Sequence, residues 1–348
     1  MTQSPKTLRT IPDLRDAGFI DPGDVARLEA VAARYAVAVT PHVAGLIDAG
    51  AANDPIARQF IPDARELDHA PEERADPLGE DERSPVPGLV HRYPDRVLLK
   101  LTHVCPVYCR FCFRRETVGP GGPQALSDGA LDAAVNYIAA HPEIWEVILT
   151  GGDPLMLSPR RIADVTLRLS GISTVNVLRW HSRVPVVDPA RISARVVEAL
   201  KSPRRAVYLA VHINHPRELN PAVRAALGRL CDAGIALLSQ TVLLKGVNDD
   251  PDTLEALMRA LVSARVKPYY LHHPDLAPGT SHFRISIEEG QAIVRALRGR
   301  VSGLAQPTYV LDIPGGHGKV PIGPSYLDDD GRLVVDPAGG LHHYPERG

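Results

Sequence analysis

Cysteine is scarce in this chain, with four among 348 residues. Long apolar runs are missing, and no window approaches the roughly 18 uninterrupted apolar residues that a membrane span needs. The N-terminal stretch MTQSPKTLRTIPDLRDAG has no apolar signal core either. These absences point to the cytoplasm, where thiols stay reduced and a tight group of cysteines is read as metal-binding or catalytic before it is read as disulfide. An excess of one charge is missing too. The formal net charge is −2 and no long block of like charge occurs, which argues against nucleic acid or an anionic membrane as partner and in favour of a small molecule or a single protein. What the chain has in quantity is apolar: 44% hydrophobic against 23% charged residues can bury a large core.

The organisation changes twice along the chain. Residues 1–68 form an N-terminal helical region, Ala-rich from Asp21 onward, with Asp21 and Pro22 placed as N-cap and first helical residue. Residues 69–96 are rich in Pro and charge, lack apolar periodicity and read as an extended connector. From Val97 short apolar runs alternate with amphipathic stretches: VLLKLTH (97–103), WEVILTGG (145–152), TVNVLRWH (174–181), AVYLAVHIN (206–214), ALLSQTVLLKG (236–246) and KPYYLHHPD (267–275). Six such units predict an α/β fold around a parallel sheet, either open and doubly wound or rolled into a partial barrel. Polar residues gather where these strands end, among them His103, His181, His212, Gln240 and Asp275, which is where such folds place their chemistry. The βα body is assigned to 97–285 and a C-terminal region to 286–348.

Cys105, Cys109 and Cys112 stand together in CPVYCRFC, just after the first of these strands. Three thiolates suit iron–sulfur or zinc chemistry. A structural zinc needs a fourth ligand, for which His103 is nearest, and it usually pairs its cysteines as C-x2-4-C. TGGDPL, at 150–155, is by itself a tight turn or a backbone contact site. PGGHGK puts Lys319 in a glycine-rich loop, as a phosphate-binding lysine would be, but Val320 and Pro321 follow where a P-loop continues into a helix.

The spacing C-x3-C-x2-C resembles the signature of radical S-adenosylmethionine enzymes. Three longer segments, SPVPGLVHRYPDRVLLKLTHVCPVYCRFCFRRE, YYLHHPDLAPGTSHFR and LDIPGGHGKVPIGPSYL, resemble lysine 2,3-aminomutase and its relatives, from about Asp76 to Leu327. The resemblance implies a partial (β/α)6 barrel with an N-terminal helical attachment and a C-terminal extension carrying the lysine that holds pyridoxal 5′-phosphate. It implies an isomerase that moves the α-amino group of L-lysine to the β-carbon through a 5′-deoxyadenosyl radical. Cys105, Cys109 and Cys112 would hold a 4Fe–4S cluster, shielded by Tyr108 and Phe111. Gly151, Gly152 and Asp153 match the family's GGE-type motif, with Asp for the commoner Glu, and with His212 and Gln240 would contact S-adenosylmethionine. Lys319 would bond pyridoxal phosphate, with Arg92, Tyr93 and Arg96 around it and the glycines of PGGHGK letting it approach the backbone. Arg114 would pair with the substrate carboxylate, and Asp275 and Asp312 with the distal ammonium of lysine.

The chain also departs from the family's longer members. It ends without the C-terminal cysteines that bind structural zinc there, so no cysteine zinc site is expected, and Cys231, alone in a helical pattern, reads as a core thiol. His317 stands where the family often has glycine. A flavodoxin or ferredoxin is implied as electron donor, and a homo-oligomer is left open. The alternatives are the shorter relative that makes (R)-β-lysine for modification of elongation factor P, a glutamate 2,3-aminomutase, and, more distantly, an iron–sulfur or zinc protein that only binds a partner.

Overall fold

Each of the six βα units read from the sequence folds as a strand followed by a helix, in a computed structural model that describes residues 6–119, 125–327 and 333–343. The main sheet has nine strands in sequence order. It opens with β1 (Leu89–Tyr93), antiparallel to β2 (Arg96–Thr102). Parallel strands follow: β3 (Glu146–Gly151), β4 (Val177–Ser182), β5 (Ala206–His212), β6 (Ala236–Val242) and β7 (Lys267–His272). A seventh parallel strand, β8 (Thr308–Ile313), extends the sheet, and β9 (Gly318–Pro321) turns back antiparallel to it.

Helices Asp128–Ala140, Pro159–Ser170, Ala194–Leu200, Pro221–Asp232, Pro251–Ser263 and Ile287–Leu297 follow β2 to β7 in turn. Each begins at a side chain that accepts an otherwise unpaired backbone N–H: Ser127, Ser158, Ser193, Asn220, Asp250 and Ser286. Strand alternation divides the residues. Val97, Leu99 and Leu101 of β2 join the buried cluster that holds Leu131, Ala134 and Ile138 of the first helix, while Leu98, Ile148, Thr150, Arg179 and His181 line an interior cavity.

The connector is not extended throughout. Pro94 and Asp95 turn the chain so that Tyr93 pairs with Arg96, and β1 is thereby recruited to the sheet edge. The two edges then meet through side chains and loops. Tyr93 Oη accepts the Lys319 backbone N–H at 2.7 Å, Arg92 reaches Asp312 at 3.3 Å, and the Gly315 N–H bonds the Pro77 carbonyl at 2.9 Å. The barrel is nearly closed by these ties.

In the N-terminal region Asp21 does cap a turn, but it is the short 3-10 segment Pro22–Asp24, and the α-helix runs over Val25–Arg34. This region packs on the barrel. Leu28, Val31 and Tyr35 are buried, and the carbonyls of Ala36 and Ala38 accept bonds from Arg110 and Tyr108 of the cysteine loop. No described helix is long and apolar enough to cross a membrane.

Candidate active site

The three cysteines and every residue nominated to contact S-adenosylmethionine, pyridoxal phosphate or substrate line one cavity of about 480 Å³ at the C-terminal ends of the strands. Register explains the convergence. Lys100 of β2 pairs with Thr150, His212 with Gln240, Gln240 with Tyr270, Val242 with His272, and Asp312 with Lys319, so side chains of successive layers face the same barrel mouth.

The cysteine loop forms the cavity floor nearest the N-terminal region. Burial pushes the Cys105 and Cys112 thiols up, Cys112 to about 11, and the neighbouring thiols add to this. Thiolates in this place need a multivalent cation to offset their charge, which fits iron in a cluster. Cys109 Sγ accepts a bond from Arg183 at 2.9 Å. Among the described residues no three His, Cys, Asp or Glu side chains converge as ligands of a single ion. His103, the local fourth-ligand candidate for zinc, instead meets the Thr117 carbonyl through Nδ1 at 3.1 Å. Phe111 lines the cavity against His212, their ring centroids 5.6 Å apart. Tyr108 does not reach the cavity; it packs outside, with Ala38 and Val118 against Cys105 and Cys112.

A buried ion cluster fixes this loop. Glu66, with no exposed surface, takes bonds from Arg110 and Arg115, and Arg115 stacks over Tyr35 at 3.6 Å. Arg183 is held likewise, by Gln59 at 2.6 Å and Glu218 at 2.9 Å.

The glycine pair at the end of β3 has a steric cause. A Cβ on Gly152 would lie 2.5 Å from the Val104 carbonyl oxygen, and Gly151 has a φ of +116°. The N–H groups of Gly152 and Asp153 bond the carbonyls of Thr102 and Val104 at 2.6 and 2.9 Å, so these residues lay the strand end against the cysteine loop. The Asp153 carboxylate is not an open ligand. It accepts from Ser182 Oγ and from the backbone of Leu155, Arg183 and Val184 at 2.7 to 3.0 Å, four donors that only partly counter the burial that raises its carboxyl.

At the other wall, Lys319 Nζ is hydrogen-bonded to Asp312 and lies 3.2 Å from His272 Nδ1. Burial would raise the Asp312 carboxyl, but the Lys319 ammonium bonded to it holds it well below the usual carboxylate range. Asp312 therefore serves the lysine in the empty site. Asp275 has no such partner among the described residues, and burial together with the Asp312 charge raises its carboxyl to about 7. Arg92 lines the cavity, and its buried Nε has no hydrogen-bond partner among the described residues; a guanidinium at this wall suits an anion such as a cofactor phosphate. Arg96 pairs with Asp95 at 2.6 Å and stacks over the Tyr93 ring at 3.8 Å. The glycines of PGGHGK have turn geometry, with φ of +83°, +78° and +106° at Gly315, Gly316 and Gly318, and pack against protein. A Cβ on Gly316 would lie 3.0 Å from the Leu78 carbonyl oxygen.

Arg114 is occupied by a group absent from the nominated set. Glu80, in the connector, accepts from its Nε at 3.0 Å and from a terminal nitrogen, while the other terminal nitrogen reaches Thr150 Oγ1 at 3.2 Å. Burial disfavours the Glu80 anion, but Arg114, aided by Lys100, outweighs it and holds the carboxyl at about 2. Glu80, His272 and Arg179 line the cavity and were not singled out as site residues. Strand alternation alone would have marked His272 and Arg179; Glu80 carried no local signal. Cys231, outside the site, is half-buried, its thiol pushed up by burial.

Comparison with known proteins places the chain in a family. The profile of the radical SAM superfamily matches residues 99–258, and a profile described as lysine-2,3-aminomutase matches residues 294–336. L-lysine 2,3-aminomutase of Acetoanaerobium sticklandii is 45% identical over 291 residues, covering 84% of this chain and 70% of that protein. The enzyme of that name from Fusobacterium nucleatum is 43% identical over the same length, covering 84% and 68%. Glutamate 2,3-aminomutase of Clostridioides difficile is 36% identical over 308 residues, covering 88% and 72%. With that extent of identity, and with both profiles falling on the segments that build the cavity, the chain belongs to the lysine 2,3-aminomutase family of the radical SAM superfamily.

Proposed function

We propose that this protein is a lysine 2,3-aminomutase, an isomerase that moves the α-amino group of L-lysine to the β-carbon. One observation carries the choice of substrate: two carboxylates, Asp275 and Asp312, line the same cavity, where burial and then the Asp312 charge raise the Asp275 carboxyl to about 7. A side chain ending in an ammonium relieves that repulsion. One ending in a carboxylate, as in glutamate, adds to it.

In this reading Cys105, Cys109 and Cys112 hold a 4Fe–4S cluster, the backbone of Gly151 to Asp153 with His212 and Gln240 faces S-adenosylmethionine, and Lys319 with Arg92, Tyr93 and Arg96 holds pyridoxal phosphate. Bound there, the cluster and S-adenosylmethionine supply a carbon radical that removes hydrogen from substrate, and pyridoxal phosphate supplies the π-system that carries the migrating nitrogen. The electron comes from an external donor of flavodoxin or ferredoxin type. The chain's own residues orient and exclude. Arg114 offers its fork to the substrate carboxylate, with Glu80 as the group that yields one edge of it. Asp312 holds the Lys319 ammonium in the empty site and is released to the substrate ammonium once Lys319 is no longer charged. The N-terminal region packed behind the cysteine loop keeps water from the reacting atoms.

The test is anaerobic incubation of reconstituted protein with S-adenosylmethionine, pyridoxal phosphate, a reductant and either L-lysine or L-glutamate, with chiral separation of products. β-Lysine is expected, and its configuration separates the free-lysine enzyme from the elongation-factor-P type. Turnover of glutamate in preference to lysine would overturn the assignment.

A further inference from the structure

We propose that His272 is the proton acceptor for Lys319. The proposal rests on the reading of Lys319 as the residue that bonds pyridoxal phosphate. His272 ends β7 and Lys319 lies on β9, with β8 between them. The β8–β9 register sets Asp312 directly across from Lys319. The β7–β8 register pairs His272 with Val310, two residues before Asp312 and on the same face. The three side chains converge as a result. Lys319 Nζ is 3.2 Å from His272 Nδ1, and that nitrogen is 3.8 Å from Asp312 Oδ2. An ammonium only donates, so Nδ1 presents its lone pair and the proton of the neutral ring sits on Nε2.

A lysine attacks a carbonyl only as the free amine. Two atoms can take its proton. Asp312 is the wrong one, because it is held far below the usual carboxylate range and so stabilises the ammonium. His272 is the other. Burial, and then the Lys319 charge, lower its pKa and so keep the imidazole neutral, and its Nδ1 lies 3.2 Å from Nζ, within reach of the proton. The groups that face it are Asp312 from β8, Lys319 from β9, His181 from β4, His212 from β5 and Tyr270 from β7 itself. Among these, Asp312 is the one ionised carboxylate. Transfer from Nζ to Nδ1 therefore moves the positive charge while keeping it beside Asp312, and no lone charge is left buried. The freed lone pair bonds the aldehyde carbon of the cofactor. The two hydrogens left on nitrogen depart with the carbonyl oxygen as water, and the imidazolium returns its proton to that nitrogen.

The test follows uptake of pyridoxal phosphate by the full-length protein stripped of it, read by visible absorbance and by borohydride trapping on Lys319. His272→Asn keeps an acceptor near the Nδ1 position but cannot take a proton. Uptake should slow by about 100-fold, within the range of about 10² to 10⁴ for a placed acid–base group. The variant's pH profile should lose the limb set by an imidazole, and added imidazole should restore part of the rate. A merely structural role would lower thermal stability without changing the profile or allowing rescue. Uptake by His272→Asn at the wild-type rate and with the wild-type profile would overturn the proposal. If that variant does not fold, the wild-type profile decides, since the absence of an imidazole limb overturns it equally. Should wild-type protein trap no cofactor on Lys319, the reading of Lys319 fails instead.

Discussion

Replacing Asp275 by Asn should make the substrate-free protein more stable and the enzyme worse. Burial, reinforced by Asp312, raises the Asp275 carboxyl from 3.8 to about 7. Three units at about 1.4 kcal/mol each put the cost of ionising it in the folded state at about 4 kcal/mol. Structure in the unfolded ensemble reduces what is observed, so a gain of about 2 to 4 kcal/mol is expected. The sign follows from counting protons. Between about pH 4 and pH 7 the folded state keeps a proton that the unfolded chain has released, so wild-type stability falls as pH rises through that window. Below it both states are protonated and Asn, similar in size to the neutral acid, changes little. Above it the variant should hold its full advantage. Denaturant unfolding of substrate-free protein at about pH 4 and about pH 8 measures the difference. In the same variant kcat/KM for lysine should fall roughly 10- to 150-fold, from about 1.5 to 3 kcal/mol for a charge-assisted contact. A variant no more stable than wild type at about pH 8, or an advantage independent of pH, would refute the reasoning.

The remaining predictions touch other walls of the cavity. Glu80→Gln should cost about 3 kcal/mol at neutral pH, because the folded-state carboxyl sits about 2.5 units below its free value. That stability is present above about pH 4.5 and is lost as pH falls toward 2, so the variant should show a flatter acid limb in denaturant unfolding. Gly152→Ala places a methyl 2.5 Å from the Val104 carbonyl oxygen and should displace the cysteine loop, lowering iron content per chain after anaerobic reconstitution; wild-type loading would contradict it. Lys319→Ala should abolish borohydride-trappable pyridoxal while leaving iron loading intact, as read by peptide mapping and iron analysis, since the cysteines are carried by the β2 loop and the lysine by β9.

The six βα units were legible because both of their periods are strong: strands such as VILT are buried on both faces, and the helices announce themselves with Ser, Asn or Asp at the cap. β1 was not legible. LVHRY sits in a segment whose composition reads as connector, and it becomes a strand because Pro94 and Asp95 fold it onto β2, a partner the local pattern does not contain. β8 was hidden for a related reason. TYVLDI is short, follows no helix cap and gains its place from pairing with β7.

In the site, motif positions were readable and their partners were not. Glu80 is one acid among many in the connector, and its meaning comes from Arg114, which is 34 residues away. Glu66 is likewise defined by Arg110 and Arg115. His272 and His273 are adjacent in sequence, and only strand alternation separates them. His273 meets Tyr309 Oη at 2.7 Å, while His272 faces Lys319. The pairing of Asp312 with Lys319 was within reach. PGGH between Ile313 and Gly318 is turn chemistry, and a hairpin closed there sets Ile313 against Gly318 and Asp312 against Lys319. That register changes what the aspartate can do. A carboxylate opposite a lysine ammonium cannot at the same time serve as an empty pocket for a second ammonium, so its attraction for substrate depends on the lysine having first lost its charge. On the proposed roles, cofactor loading and recognition of the distal ammonium would be coupled through one hairpin, and the residue that takes the lysine's proton would govern both.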